Sequence, residues 1–290
     1  MIKADFLHQL DRFSIILNKR VTSNYIGEKQ SEAVGRGLVF RDHSQYVPGE
    51  DFRSIDWRVF GRTDKLFVKR YEEERNLTVH VIVDMSGSMN FGTGVTKAEY
   101  ASMLGLGFAY LALKNNERFV LCTFSDKLDV FRPQKGKKQI TSALEYLNNK
   151  KAAGETKLDI SIGSYKPLIN SRSMVVIISD FLYPIEEIKK ALHYLKKQEV
   201  ILIQVLDKAE KDLKLEGDYK LTDAESKDVL QTFINPFTKK QYSNMMDDHI
   251  SKIQNEAERV KAKFYSTDTG KPVFDTFYEV LNYRGRRRGG

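Results

Sequence analysis

From residue 77 onward, short apolar runs alternate with amphipathic or charged stretches at a steady interval. Leu77–Val83, Met174–Ile178 and Val200–Leu206 are apolar along most of their length and short for helices, which predicts strands buried on both faces. Arg118–Ser125 and Leu128–Phe131 read as two more strands, and the tight turn Ser125-Asp126-Lys127 between them makes the second an antiparallel edge strand. Between these runs the spacing becomes helical. Thr96-Lys97-Ala98-Glu99 has the form of a capping box opening a helix to about Lys114, apolar nearly all round and so covered on most sides. Helices follow at about Lys138–Asn149 and Leu158–Ile169. Pro184 suits a first helical position, and Ile185, Ile188, Leu192 and Leu195 then make a core stripe. A further stripe, Met246, Ile250, Ile253, Ala257 and Val260, precedes a strand at Lys263–Ser266 and a closing helix at Val273–Leu281. This alternation predicts a three-layer, Rossmann-like α/β fold, its central sheet mostly parallel with one antiparallel edge strand. Lys208–Gln241 breaks the rhythm; its alternating segments Tyr219–Thr222 and Val229–Phe233 predict a hairpin excursion on the sheet edge.

Residues 1–76 are patterned differently. Phe6, Leu10, Phe13 and Leu17 share one face of an amphipathic helix, and a loop-rich stretch with Gly27, Gly35, Gly37 and Gly49 follows. The expectation is a helix/loop-strand arm packing on a core domain of residues 77–282. The arm's densest segment, Tyr46–Arg62, sets charges of both signs around the only tryptophan. Asp56, Trp57 and Arg58 there read either as a self-satisfied ion-pair and packing motif or as a partner-binding surface, since Trp and Arg often dominate interfaces.

Composition changes this picture little. With 290 residues, 41% of them hydrophobic and 30% charged, the chain is an ordinary globular protein with enough length for a sizeable core. The single cysteine, Cys122, lies in the apolar run Phe119–Phe124 and is expected to be buried; one cysteine makes no disulfide within a chain, which fits a reducing compartment. Met1–Lys19 mixes charges and lacks the apolar core of a targeting signal. Met103–Leu113, the most apolar helical stretch, is far shorter than the roughly 20 residues that span a bilayer. A soluble, cytoplasmic protein without a transmembrane segment is expected. Net charge is +8, but Arg284, Arg286, Arg287 and Arg288 supply four of those charges in a Gly-rich tail at 283–290, so the remainder is only mildly basic. That tail reads as a disordered, solvated end. Lys135, Lys137 and Lys138 read as a solvated helix start.

The candidate chemistry lies where the first buried strand ends. Asp84-Met85-Ser86-Gly87-Ser88 places a carboxylate and two hydroxyls just beyond its carboxyl end, the edge at which open α/β sheets bind ligands. Oxygen donors of this kind suit a hard cation such as Mg2+. Two later segments bring more oxygen to the same rim: Thr156, in the loop that opens the Leu158 helix, and Asp180, at the end of the second buried strand. Asp84, Ser86, Ser88, Thr156 and Asp180 are thus expected around one cation, Mg2+ or Mn2+.

That constellation, in this order and at these element ends, resembles the metal-ion-dependent adhesion site of von Willebrand factor type A domains. The resemblance implies that the serines and a threonine or aspartate ligate the metal directly or through water, and that a partner's carboxylate completes the shell. A wider resemblance covers nearly the whole chain. Tyr46–Arg58, Arg62–Lys69, Glu72–Arg75 and Asp84–Met89 together look like the family catalogued as domain of unknown function 58. Members of that family carry a von Willebrand type A domain and typically occur beside MoxR-type AAA+ ATPases. The implied function is a metal-dependent, non-enzymatic adaptor of such an ATPase, acting in chaperone-like assembly or maturation of a client that bears an acidic residue. Many relatives have amino-terminal membrane segments, and this chain departs from them there.

Rival readings have less in the sequence. A Mg-dependent phosphoryl-transfer or hydrolytic enzyme is the alternative, but a haloacid-dehalogenase-like phosphatase needs a second aspartate where Ser86 stands. The Gly-x-Ser-x-Gly elbow and the phosphate-cradling Gly-x-x-x-x-Gly-Lys-Ser/Thr loop are both missing. No small-molecule substrate is expected. A weak nucleic-acid binder is the second alternative; it rests on the tail alone, whose arginines no aromatic residues interleave. The five histidines show no paired metal spacing, and His80, inside the first strand, reads as a satisfied core histidine.

Overall fold

The computed structural model describes residues 2–3, 5–21, 34–35, 39–72, 77–92, 94–131, 138–169, 173–211, 217–222 and 229–282. They fall into two compact units: residues up to Ser14 together with those from Leu77 onward, and Ile15–Asn76. Helix α1 (Asp5–Val21), the amphipathic helix expected in the arm at 1–76, begins in the first unit. The cause is aromatic packing. Phe6 and Phe13 place their rings 5.5 Å and 5.3 Å from Phe274, and Leu10 between them is fully buried.

In the smaller unit, β1 (Val34–Gly35), β2 (Val39–Gln45) and β3 (Phe67–Glu72) pair antiparallel in the order β1-β3-β2. The loop-rich stretch expected here also holds a helix, α2 (Trp57–Thr63), which Asp56 caps by accepting the Arg58 N–H at 3.0 Å. None of its residues is buried, so it has no apolar stripe to read. Gly27, Gly37 and Glu73–Arg75 lie outside the described residues.

In the larger unit the chain runs β4 (Thr78–Asp84), α3 (Lys97–Lys114), β5 (Arg118–Phe124), β6 (Leu128–Phe131), α4 (Gln139–Asn149) and α5 (Leu158–Tyr165). It continues through β7 (Met174–Ser179), α6 (Ile185–Leu195), β8 (Glu199–Leu206), α7 (Lys208–Lys211), β9 (Gly217–Thr222) and β10 (Val229–Ile234). Helix α8 (Pro236–Arg259), β11 (Lys263–Asp268) and α9 (Val273–Asn282) complete it. Among the described residues the central sheet has the order β11-β8-β7-β4-β5-β6, parallel throughout except for the antiparallel β5–β6 pair. The fold is therefore mixed α/β with a mostly parallel sheet and one antiparallel edge strand. Chain order reverses at β4, which has β5 on one side and β7 on the other, and a crevice at the carboxyl edge follows from that topology.

Both faces of the sheet are covered. On one, Ile82, Val175, Ile177 and Leu202 pack with Ile162 of α5, Leu192 of α6 and Ile253 of α8. On the other, α3 lies so close that a Cβ at Gly105 would stand 2.8 Å from the Val83 side chain, and one at Gly107 would stand 1.9 Å from the Phe277 ring. His80 is buried and shares a 2.5 Å hydrogen bond with the Tyr165 hydroxyl, while Cys122 is fully buried, its thiol pushed up to about 12 by that burial.

Three expectations are corrected. The hairpin does not lie on the sheet edge: among the described residues β9 and β10 pair only with each other, and β11 and β6 form the edges. Helix α5 stops at Tyr165, where Pro167 in the next turn cannot donate to an α-helical ladder, and a 3-10 turn, Lys166–Leu168, replaces its end. Pro184 is the cap before α6, with an extended ψ of 131°, and not its first residue. Lys138 caps α4 without a side-chain bond; Lys135, Lys137 and the 283–290 tail lie outside the described residues. No helix among the described residues is long and apolar enough to cross a membrane.

Candidate cation site

The site begins at the carboxyl end of β4. Register places Val83 opposite Ile178 of β7 and Asp84 opposite Phe124 of β5, so the ends of three neighbouring strands are nearly flush. Asp84 is fully buried. Its Oδ1 accepts the Ser86 N–H at 2.9 Å, the turn that a short-side-chain carboxylate favours, and its Oδ2 accepts the Ser179 hydroxyl at 2.6 Å. Beyond it a 3-10 turn, Gly87–Asn90, sets the Ser86 and Ser88 hydroxyl oxygens 3.2 Å apart.

The Thr156 loop is laced to this turn by the backbone. Gly87 N–H donates to Gly154 O at 2.9 Å and Ala153 N–H to Met85 O at 2.9 Å, while Gly154 takes a left-handed φ of +90°. Thr156, half-buried, follows two residues later. Asp180, also buried, follows β7. Its Oδ1 accepts the Leu182 N–H at 3.2 Å, and Gln204 of β8 donates to its carbonyl at 2.9 Å. Phe181 then adopts a left-handed φ of +53°, uncommon for a bulky residue, and is held there by the Ser179 hydroxyl at its N–H and by a 2.7 Å contact of His249 Nε2 with its carbonyl.

The structure therefore gathers Asp84, Ser86, Ser88 and Asp180 at one edge and brings the Thr156 loop to it through main-chain bonds. Burial, and then the negative charge of Asp180, push the Asp84 carboxyl up to about 7 against the hydrogen bonds that favour its ionised form. A buried pair of carboxylates beside paired hydroxyls fits a small hard cation, which would relieve that repulsion. Among the described residues, no three His, Cys, Asp or Glu side chains converge as a metal-binding group.

Sequence reasoning missed several neighbours. Lys97, fully buried at the first turn of α3, donates to Asp180 Oδ2 at 2.8 Å and to Glu210 Oε1 at 2.7 Å. Ser179 bonds Asp84 directly, and Gln204 Oε1 is buried without a hydrogen-bond partner among the described residues. Only the Ser179-Asp180 pairing at a strand end carried a signal. Asp56, which the sequence offered either as part of a self-satisfied ion-pair motif or as a partner-binding residue, is engaged within its own unit by His43 at 3.0 Å, Lys69 at 3.3 Å and the Arg58 N–H, and the His43 bond first among these holds its carboxyl down at about 2. Trp57, 61% exposed, and Arg58 face solvent.

An open α/β sheet with an oxygen-rich rim at its switch point defines the general class. Within it, the chain belongs to the family described as protein of unknown function DUF58, whose model matches residues 42–252. Uncharacterized proteins of Mycobacterium bovis and Mycobacterium tuberculosis are each 26% identical to it over 250 residues, 84% of this chain and 78% of theirs. Among solved structures it is similar to a conserved hypothetical protein, BatB, of Bacteroides thetaiotaomicron, with a TM-score of 0.44 and 14% identity over 71% of this chain and 97% of that one. An aerotolerance-related membrane protein of Bacteroides fragilis gives a TM-score of 0.43 and 15% identity over 71% and 98%.

Proposed function

We propose that this protein is a non-enzymatic interaction module whose larger unit is a von Willebrand type A-like domain. In this reading it binds a partner's acidic residue through Mg2+ or Mn2+ held by Asp84, Ser86, Ser88, Thr156 and Asp180. The observation that carries it is the buried Asp84–Asp180 pair beside the Ser86–Ser88 hydroxyl pair at the carboxyl edge. A cation bound there supplies a directional Lewis-acidic contact for a carboxylate. Asp84 orients Ser86 through its main-chain bond, and Ser179 fixes the Asp84 carboxylate in turn. A covalent enzyme mechanism with Asp84 as nucleophile finds less support, because both its oxygens accept hydrogen bonds and the carboxylate is fully buried. The ATPase partner, a MoxR-type AAA+ protein, and an acidic client follow from the sequence resemblance.

The test compares capture of the co-occurring AAA+ ATPase by wild type and by Asp84→Ala, each with Mg2+ and with a chelator. Capture by metal-loaded wild type alone is expected. Equal capture under all four conditions, with the variant still folded, overturns the metal-gated reading.

A further inference from the structure

We propose that Lys97 sets the affinity and charge selectivity of the cation site, an inference that rests on the metal-site reading above. Its ammonium is fully buried, and it stands in the first turn of a helix, where the macrodipole disfavours a positive charge. Burying an ion pair is weakly stabilising at best, so stability alone gives little reason for a lysine here. What it touches gives a better one. The ammonium takes Asp180 Oδ2 at 2.8 Å and, among the described residues, leaves Oδ1 the longer bond from Leu182 N–H at 3.2 Å. On its other side Glu210 Oε1 holds it at 2.7 Å, and that carboxylate is itself fixed by the Asp207 N–H at Oε2, 2.8 Å away. Lys97 is thus shared between one carboxylate inside the site and one outside it.

With a cation bound to ionise Asp84, the carboxylates of Asp84, Asp180 and Glu210, with buried Asp207 beside Glu210, outnumber the one ammonium, so the cluster keeps a negative excess that draws in a cation. A fixed ammonium opposes any incoming cation in proportion to that ion's charge, so it holds affinity down and penalises trivalent ions most. Glu210 acts oppositely, drawing the ammonium away from Asp180. The two residues, neither proposed as a ligand, therefore carry opposite signs.

The experiment titrates Mn2+ into the purified full-length chain, reading free Mn2+ by electron paramagnetic resonance, with Tb3+ titrated in parallel by luminescence. Lys97→Met is expected to bind Mn2+ about tenfold or more tightly than wild type, with a larger gain for Tb3+. Glu210→Gln is expected to bind Mn2+ about threefold or more weakly. A purely structural pin weakens binding in both variants, and that result overturns the inference. If Lys97→Met does not fold, Lys97→Gln is titrated in its place, and unchanged or weaker Mn2+ binding by it overturns the inference. Wild type lacking any Mn2+ binding that Asp84→Ala abolishes removes the metal reading and this inference together, whereas equal binding by wild type and Lys97→Met removes this inference only.

Discussion

Single residues carry most of the chemistry, and those whose types are unusual for their surroundings were legible. Asp84 ends an apolar run, and Ser86, Ser88 and Asp180 follow strand ends, so type and place together marked them. Lys97 and Glu210 were not legible, because nothing distinguishes one lysine in a helical first turn among 47 basic residues until the fold buries it. His80 was legible as a core residue, and its burial gives a pH dependence. Burial lowers its pKa to about 4, below the roughly 6.5 of an exposed imidazole. As pH falls, the unfolded chain takes up that proton first, so stability present above pH 6.5 is lost between about 6.5 and 4 and levels off below. Asp84, pushed up to about 7, works in the opposite direction over the same window. The measurement is therefore made in an Asp84→Asn background: the urea midpoint should fall from pH 6.5 to 4, and His80→Gln should flatten the slope. An unchanged slope in the double variant would show that His80 is not the titrating group.

At the scale of elements, the buried strands β4, β7 and β8 were legible because a strand covered on both faces needs continuous apolar sequence, and their burial follows that pattern. Elements lacking a buried stripe were not. Helix α8 starts well before Met246, in a segment where Phe237 and Met245 are exposed and periodicity is silent. Its cap was the only signal: Asn235 accepts the Thr238 N–H at 2.8 Å, with Pro236 at the first helical position. Long-range closeness left no trace either. Gly107 admits the Phe277 ring to the surface of α3, and Gly107→Ala puts a methyl where that ring sits. Overpacking is expected to exceed the gain in helix propensity and destabilise the protein by about 1–3 kcal/mol, read from the denaturant midpoint. A stabilised variant would mean that α9 moves aside freely.

For the whole molecule, the family match at residues 42–252 spans parts of both compact units, so the family is defined by more than the sheet and its rim. A cation that binds only the folded chain adds to its global stability by mass action. With Mn2+ at a hundredfold excess over its Kd, unfolding free energy should rise by about 2.7 kcal/mol in wild type and stay unchanged in Asp84→Ala, as read by thermal or urea unfolding. A rise of equal size in both would place the stabilising ion elsewhere. The chain's one thiol also has a practical consequence. Cys122 is sealed in the core and its thiol is held up at about 12, so it stays protonated and out of reach of alkylating reagents. A cysteine introduced at exposed Leu182, two residues after Asp180, becomes the molecule's single labelling position. A fluorophore or spin label attached there would report directly on motion at the rim, with no native residue to remove first.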